Sequence, residues 1–382
     1  MRRRAALLRR RFTTGLVQDT MIDIDFEHLR SMGLTPAMAQ HLALHEAPEG
    51  GPHALMRITE VHRETLRLHD GHAEVSARPL PRVTRGLEEL DTALAVGDWV
   101  LASRDEHGDW WVHLQVPPLT HIARRDADGS RHPVVSNVDT ALLVMGLDDD
   151  YNLRRLERYL ALVQGSGVQA VIVLTKVDVA APTPDLLAPR LQELRDRLGQ
   201  SVDIVAVNGT HPTAAHALAP YLNAGQTVVL MGSSGAGKST LTNTLAGVAL
   251  QDTGAVREHD SRGKHTTTSR SLHRLPGGAC VIDTPGLRAL RPDVDEATLA
   301  WLFDDIGRLA LQCRFRDCRH EQEPGCAVRE GVGGDRLRNY HKLMREARRD
   351  TMTVLERQQQ MSVWRARGKA ARAWMKVKRG EA

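Results

Sequence analysis

Residues 232–239 read Gly-Ser-Ser-Gly-Ala-Gly-Lys-Ser, which sets glycine, lysine and hydroxyl at the spacing G-x4-G-K-S. Glycines at such spacing let backbone N–H groups face phosphate oxygens, and a helix that follows adds the positive end of its dipole. Gly232, Ser233, Ser234, Gly235, Ala236 and Gly237 are expected to form the cradle. Lys238 would reach the β and γ phosphates, the Ser239 hydroxyl would ligate Mg2+, and Thr240 at the helix start would complete the nucleotide-binding set. The context supports this chemistry, because the apolar run Thr227-Val-Val-Leu-Met231 precedes the loop and a helical stretch follows it at 240–245.

Two further groups complete a nucleotide site. Asp283 and Gly286 bracket Asp-Thr-Pro-Gly, where the carboxylate is placed to hold Mg2+ through water and the glycine amide to sense a γ-phosphate. Thr175-Lys-Val-Asp178 is a base-reading loop. The Asp178 carboxylate can accept from both the N1–H and the 2-amino group of guanine, a donor pair that adenine lacks, so GTP and GDP are the expected ligands. Lys176 is expected to lie along the base and stiffen the phosphate loop, and Thr175 stands where asparagine is usual. A second base loop is expected after 202–207, where Asn208-Gly209 replaces the frequent Ser-Ala. In a Ras-like chain the phosphate loop comes first and the base loop late. Here 175–178 precede 232–239, which precede 283–286, so the order implies a circularly permuted G domain.

Between the phosphate loop and Asp283 runs Gly263-Lys-His-Thr-Thr-Thr268, in the position of a first switch. Thr267 is the choice over Thr266 and Thr268 for a Mg2+ ligand. Ras-like enzymes orient water with a glutamine after the Asp-x-x-Gly motif, but Leu287 can neither donate nor accept a hydrogen bond. His265 is the nearest group able to orient or deprotonate water near neutral pH, and a structural histidine in that loop is the alternative.

Cys313, Cys318, His320 and Cys326 fall within 14 residues, a donor set that suits one structural, tetrahedral Zn2+ with no position left for a reactive water. Cys280, on an apolar run, reads as a small buried hydrophobe.

The elements that must position these residues follow from pattern. The chain has 382 residues, 41% hydrophobic and 26% charged, enough for two or three domains with real cores. No run reaches the length of a membrane helix, so no membrane partner is expected. Four cysteines, three of them clustered, argue for a metal site in a reducing compartment and so for a cytoplasmic location. The basic first 11 residues lack the apolar stretch of a signal peptide, and Met21 is an equally good start. Residues 22–50 read as helical on Leu29, Met32, Leu34, Met38, Leu42 and Leu44. From 55 to 116 short alternating runs and turn signals fit a small OB-type β-barrel, in which Trp99, Trp110 and Trp111 either serve the core or contact nucleic acid. From 121 strands at 140–147, 170–175, 202–207, 227–231 and 279–283 alternate with helices, and each motif sits at a strand's carboxyl end, where open α/β sheets bind ligands. From Gly331 onward 14 Lys and Arg face five Asp and Glu. Trp364 and Trp374 interleave there with Arg365, Arg367, Lys369, Arg372, Lys376 and Lys378, a mixture suited to RNA, or else a solvated helix surface.

Taken together, the permuted order, the flanking barrel, Gly263–Thr268, Asp283-Thr-Pro-Gly-Leu287 and Cys313-Arg-Phe-Arg-Asp-Cys-Arg-His320 resemble the ribosome small subunit-dependent GTPase A family over about 55–345. The resemblance implies a bacterial factor acting late in small-subunit maturation, with hydrolysis stimulated by the subunit and timing release. It implies a catalytic role for His265 and zinc ligation by Cys313, Cys318, His320 and Cys326. The expected architecture is a multidomain α/β chain. Its parts are a partly helical extension (1–50), an OB-type barrel (51–120), a circularly permuted P-loop GTPase domain on a doubly wound sheet (121–295), and a C-terminal zinc-binding α-helical domain with a basic tail (296–382). Small-subunit rRNA is the expected partner, and asymmetric docking there requires only a monomer. The rival reading is a GTP-switched RNA-binding module with little turnover, which Leu287 favours.

Overall fold

The computed structural model describes residues 22–46, 48, 52–126, 129–180, 187–198, 202–250, 270–285 and 291–350. His265, Thr267, Gly286, Leu287 and the tail beyond 350 lie outside them. No described helix is long and apolar enough to cross a membrane.

The N-terminal stretch is not one helix. A short strand β1 (Ile22–Asp23) leads to helices α1 (Phe26–Arg30) and α2 (Pro36–Leu42). Asp25 caps α1, Gly33 turns the chain at φ +88°, and Thr35 caps α2 with Pro36 in its first turn. Caps and a left-handed glycine interrupt what apolar spacing alone would continue. Leu29, Met32, Leu34, Met38 and Leu42 are buried, whereas Leu44 is 81% exposed.

The barrel comprises β2 (His53–Val61), β3 (Leu66–His69), β4 (Glu74–Pro79), helix α3 (Pro81–Glu89), β5 (Trp99–Arg104) and β6 (Trp110–Val116). Its order is β2-β3-β4-β6-β5, closed by β5 on β2, with β4 and β6 parallel and the other pairs antiparallel. These five strands form the expected OB-type barrel, filled by Met56, Ile58, Leu66, Leu68, Ala77, Val100, Ala102 and Val112. Trp99 is fully buried; Trp110 and Trp111 are half-buried.

A hairpin of β7 (His121–Arg125) and β8 (Arg131–Ser136) follows, which the sequence pattern did not predict. Then come β9 (Thr140–Gly146), α4 (Leu153–Gln164), β10 (Gln169–Thr175), α5 (Val177–Ala180), α6 (Leu187–Leu198), β11 (Asp203–Ala206), α7 (Thr213–Leu218), β12 (Thr227–Met231), α8 (Lys238–Ala246), β13 (Ser271–Arg274) and β14 (Cys280–Asp283). The sheet order is β11-β10-β9-β12-β14-β13, parallel except for β13. Ser271 of β13 also pairs with Glu60 of β2, so sheet and barrel share backbone hydrogen bonding.

One side chain joins these parts. Arg57 of β2 is fully buried and donates to the carbonyls of Met32, Gly97 (3.3 Å) and Asn137 (2.8 Å) and to the Thr227 hydroxyl (2.9 Å). Its guanidinium lies 5.2 Å from the Trp99 ring. The segment after α1, the barrel, the entry to β9 and the start of β12 therefore converge on one cation.

The chain divides into two compact units between Pro292 and Asp293. The second contains α9 (Glu296–Leu302), α10 (Asp304–Ala310), α11 (Ala327–Gly331) and α12 (Gly334–Asp350). Leu299, Phe303, Ile306, Val328 and Leu343 are buried there. Arg336 pairs with both oxygens of Asp305 at 2.8 Å and lies over Phe303.

Because removing a buried cation strands the carbonyls it satisfied, Arg57→Met is expected to destabilise the protein by about 3 kcal/mol. Urea unfolding followed by tryptophan fluorescence checks this, and a loss below about 1 kcal/mol would remove Arg57 from this role.

Candidate functional site

β12 is buried along its whole length between β9 and β14, so the chain leaves it at the carboxyl edge of the sheet. Gly232 follows, where a Cβ would lie 2.3 Å from the Val144 carbonyl oxygen, so only glycine fits against β9. Gly235 and Gly237 take φ of +85° and +92°. Gly237 caps α8 without a side chain, which leaves the first helical N–H groups for an anion.

Lys238 arches back over the loop, donating to the carbonyls of Gly232 (3.1 Å) and Ser233 (2.7 Å). Burial pushes its ammonium pKa down, opposed by the charges of Asp283 and Asp150. Ser239 Oγ lies 3.4 Å from Asp283 Oδ2 at the end of β14. Burial raises the Asp283 pKa against the pull of Lys238 and Ser239, and its Oδ1 has no hydrogen-bond partner among the described residues. An orphaned, buried carboxylate oxygen beside a hydroxyl fits a hard cation such as Mg2+. The Thr284 hydroxyl donates to the Leu230 carbonyl (2.7 Å), which fastens this corner to β12. Ser234 and Gly235 are exposed and Thr240 is half-buried.

The loop expected to read the base leaves the end of β10. Thr175 is buried and its hydroxyl donates to the Ala236 carbonyl at 2.6 Å, so this loop and the phosphate loop are directly bonded. Lys176 sits at φ +61°, and its ammonium meets Asp148 at 2.6 Å. Burial works against the Asp148 carboxylate, but the Lys176 hydrogen bond and charge hold its pKa below the usual range. Asp178 is exposed in the first turn of α5. Asn208 accepts from the Thr210 amide (3.0 Å) and hydroxyl (2.7 Å), and Thr244 of α8 donates to the Gly209 carbonyl (2.7 Å).

Sequence reasoning missed the loop after β9. Asp150 accepts from the Ser233 hydroxyl, from Arg155 and from the Gly146 amide (3.1 Å), while Asp148 takes Lys176. The available signal was three successive acids, 148–150, just past an apolar strand, at the edge where such sheets bind ligands.

In the second unit the Sγ atoms of Cys313 and Cys326 are 3.9 Å apart, and His320 Nδ1 lies 3.6 and 3.4 Å from them. With Cys318, all four donor atoms lie within 4.8 Å of one another. Zinc–sulfur bonds near 2.3 Å demand tetrahedral edges of about 3.8 Å, so this donor set fits Zn2+. His320 at φ +60°, Gly325 at φ +68° and the Glu323 carboxylate, which accepts the amides of Arg319, Glu321 and Gln322, shape the turn.

Thr175→Val leaves the Ala236 carbonyl without its donor, and guanine-nucleotide affinity is expected to fall about tenfold in a fluorescent-GDP titration. Unchanged affinity would mean that the bond does not hold the loops. Cys326→Ser is expected to lower bound zinc from one equivalent to near zero and expose residues 293–350 to protease while a fragment ending near 292 survives; full zinc retention would exclude Cys326 as a ligand.

A family model described as RsgA GTPase matches residues 117–292. The small ribosomal subunit biogenesis GTPase RsgA of Xanthomonas oryzae pv. oryzae (strain MAFF 311018) is 45% identical over 332 residues, covering 84% of this chain and 89% of that protein. Its counterpart from Xanthomonas axonopodis pv. citri (strain 306) is 47% identical over 304 residues, covering 77% and 81%. Among solved structures, YjeQ from Thermotoga maritima aligns with TM-score 0.54 at 24% identity, covering 77% of this chain and 98% of that one. YloQ, a circularly permuted GTPase, aligns with TM-score 0.52 at 21% identity, covering 81% and 100%. Those two likenesses carry the fold alone, and the Xanthomonas relatives carry the kinship: the chain belongs to the RsgA GTPase family.

Proposed function

We propose that this chain hydrolyses GTP on the small ribosomal subunit and couples hydrolysis to the subunit's late maturation and to its own release. The observation that carries the reading is the bond from Thr175 to the phosphate loop, with Lys238, Ser239 and Asp283 gathered at the adjoining strand ends. A domain division at 51–120, 121–295 and 296–382 accompanies it.

In this reading Asp178 takes the N1–H and 2-amino group of guanine, and the amides of 233–240 hold the phosphates with Lys238. Ser239, Thr267 and Asp283 would hold Mg2+, which would offset the negative charge that develops on the phosphates. Gly286 senses the γ-phosphate. His265 orients the attacking water, since Leu287 has no polar group for the task. The Cys3His cluster would hold one structural Zn2+. Partners are the small subunit and its rRNA, engaged by barrel, zinc unit and basic tail, by a monomer in the cytoplasm. Docking aligns His265 with water, and hydrolysis loosens the grip.

Steady-state GTP turnover with small subunits, and with large subunits as control, tests the proposal. A rise of at least tenfold with small subunits alone is expected, and His265→Ala is expected to abolish it with GTP binding intact. No rise despite tight GTP binding would favour the switch-like RNA-binding module, and stimulated turnover surviving in His265→Ala would dismiss the histidine.

A further inference from the structure

Away from the nucleotide site and the cysteine cluster, another set of metal-ligating side chains converges. Asp25 and His28 belong to the N-cap and first turn of α1, and His72 comes from the β3–β4 turn. Asp25 Oδ2 lies 2.8 Å from His28 Nδ1 and 3.3 Å from His72 Nε2, and the two rings are 3.9 Å apart. The carboxylate divides its work: Oδ1 accepts the His28 amide at 3.1 Å as the helix cap, which leaves Oδ2 to face the rings. His28, first through its ring and then through its amide, holds the Asp25 carboxyl below the ordinary range.

Both halves are held by contacts that do not involve the rings' metal-facing nitrogens. Gly71 sits at φ +97° so close to α1 that a Cβ would meet the His28 carbonyl carbon at 2.8 Å. Asp70 accepts the amides of His72 (2.8 Å) and Ala73 (2.7 Å), His69 Nδ1 accepts the Gly71 amide (3.0 Å), and Arg274 donates to the Gly71 carbonyl (3.4 Å). The turn is therefore built against α1 before any ion arrives. The side chains of His28 and His72 are 49% and 53% exposed, so a cation from solvent has access and water can complete its coordination.

Two imidazoles and one carboxylate suit borderline divalent ions, Zn2+ foremost, and not Mg2+ or Ca2+, which prefer all-oxygen sites. Metal–ligand bonds of about 2.0–2.2 Å need donor separations of about 3.4 Å; Asp25 Oδ2 stands 2.8 and 3.3 Å from the two ring nitrogens, and all three donor atoms lie within 4.8 Å of one another. We propose that Asp25, His28 and His72 form a second, exchangeable site for a Zn2+-class ion, which staples the N-terminal helical segment to the barrel hairpin. With three protein ligands it binds more weakly than the Cys3His cluster.

The test uses the full chain with its cysteine-bound zinc, dialysed against micromolar free Zn2+ and assayed for metal by mass spectrometry. Wild type is expected to hold two equivalents. His72→Ala removes a ligand, and Asp25→Asn keeps a good helix cap while removing the anion. Each is expected to hold one equivalent and to lose the rise in melting temperature that added Zn2+ gives wild type. One equivalent in wild type would mean that protons alone bridge this cluster, and a second equivalent surviving in both variants would place the extra ion elsewhere. Either result overturns the proposal, and neither depends on GTP turnover.

Discussion

The nucleotide site depends on a contact made over the end of β9, where the Thr175 hydroxyl donates to the Ala236 carbonyl. β9 is buried along its entire length and paired on both sides, with Gly146 opposite Thr175 on β10 and Leu143 opposite Met231 on β12. That register brings both loops out at the carboxyl edge of the sheet, the base loop past Gly146 and the phosphate loop three residues earlier along β9, where Gly232 lets it pack on the Val144 carbonyl. On the proposed reading, a guanine base and its phosphates lie against two loops that are hydrogen-bonded to each other. Nothing in this geometry depends on which loop the chain makes first. A permuted order is tolerated because the site is defined by neighbouring strands in space, and the crossover from β11 to β12 rejoins them.

Arg57 sets a second constraint beneath the first. A buried guanidinium requires acceptors on every side, and here they come from four separate stretches of chain. Among them is Thr227, the first residue of the strand that ends at the phosphate loop. The Thr227 amide in turn donates to Asp139 at 2.7 Å, just before β9. Barrel and nucleotide sheet are thus tied at the foot of the site as well as through β13, whose backbone pairs with both.

Much of this was legible because chemistry and hydrophobicity agreed. The parallel strands announced themselves as apolar runs ending in motifs, and the cysteine and histidine spacing implied its cluster. What stayed hidden was polar or distant. β13 reads Ser-Leu-His-Arg and β7 His-Ile-Ala-Arg-Arg, and neither carries the apolar signature of a buried strand. Helix caps at Asp25 and Thr35 and the turn at Gly33 outweighed apolar spacing in the N-terminal segment. Asp150 finds Ser233 across 83 residues, and no local pattern marks that pairing. Arg57 lies in an alternating strand where arginine ordinarily signals solvent. The first-switch residues His265 and Thr267 fall outside the described chain, and their roles rest on sequence.

On the proposed reading, the Thr175–Asp178 loop reads guanine against the phosphate loop to which it is bonded. The direct test is binding of GTP and XTP to wild type and to Asp178→Asn, because xanthine carries an oxygen where guanine carries its 2-amino donor. Wild type is expected to prefer GTP by about a hundredfold or more and Asp178→Asn to reverse the preference, since a site built for one hydrogen-bond pattern rejects the other. An Asp178→Asn protein that still prefers GTP would contradict it.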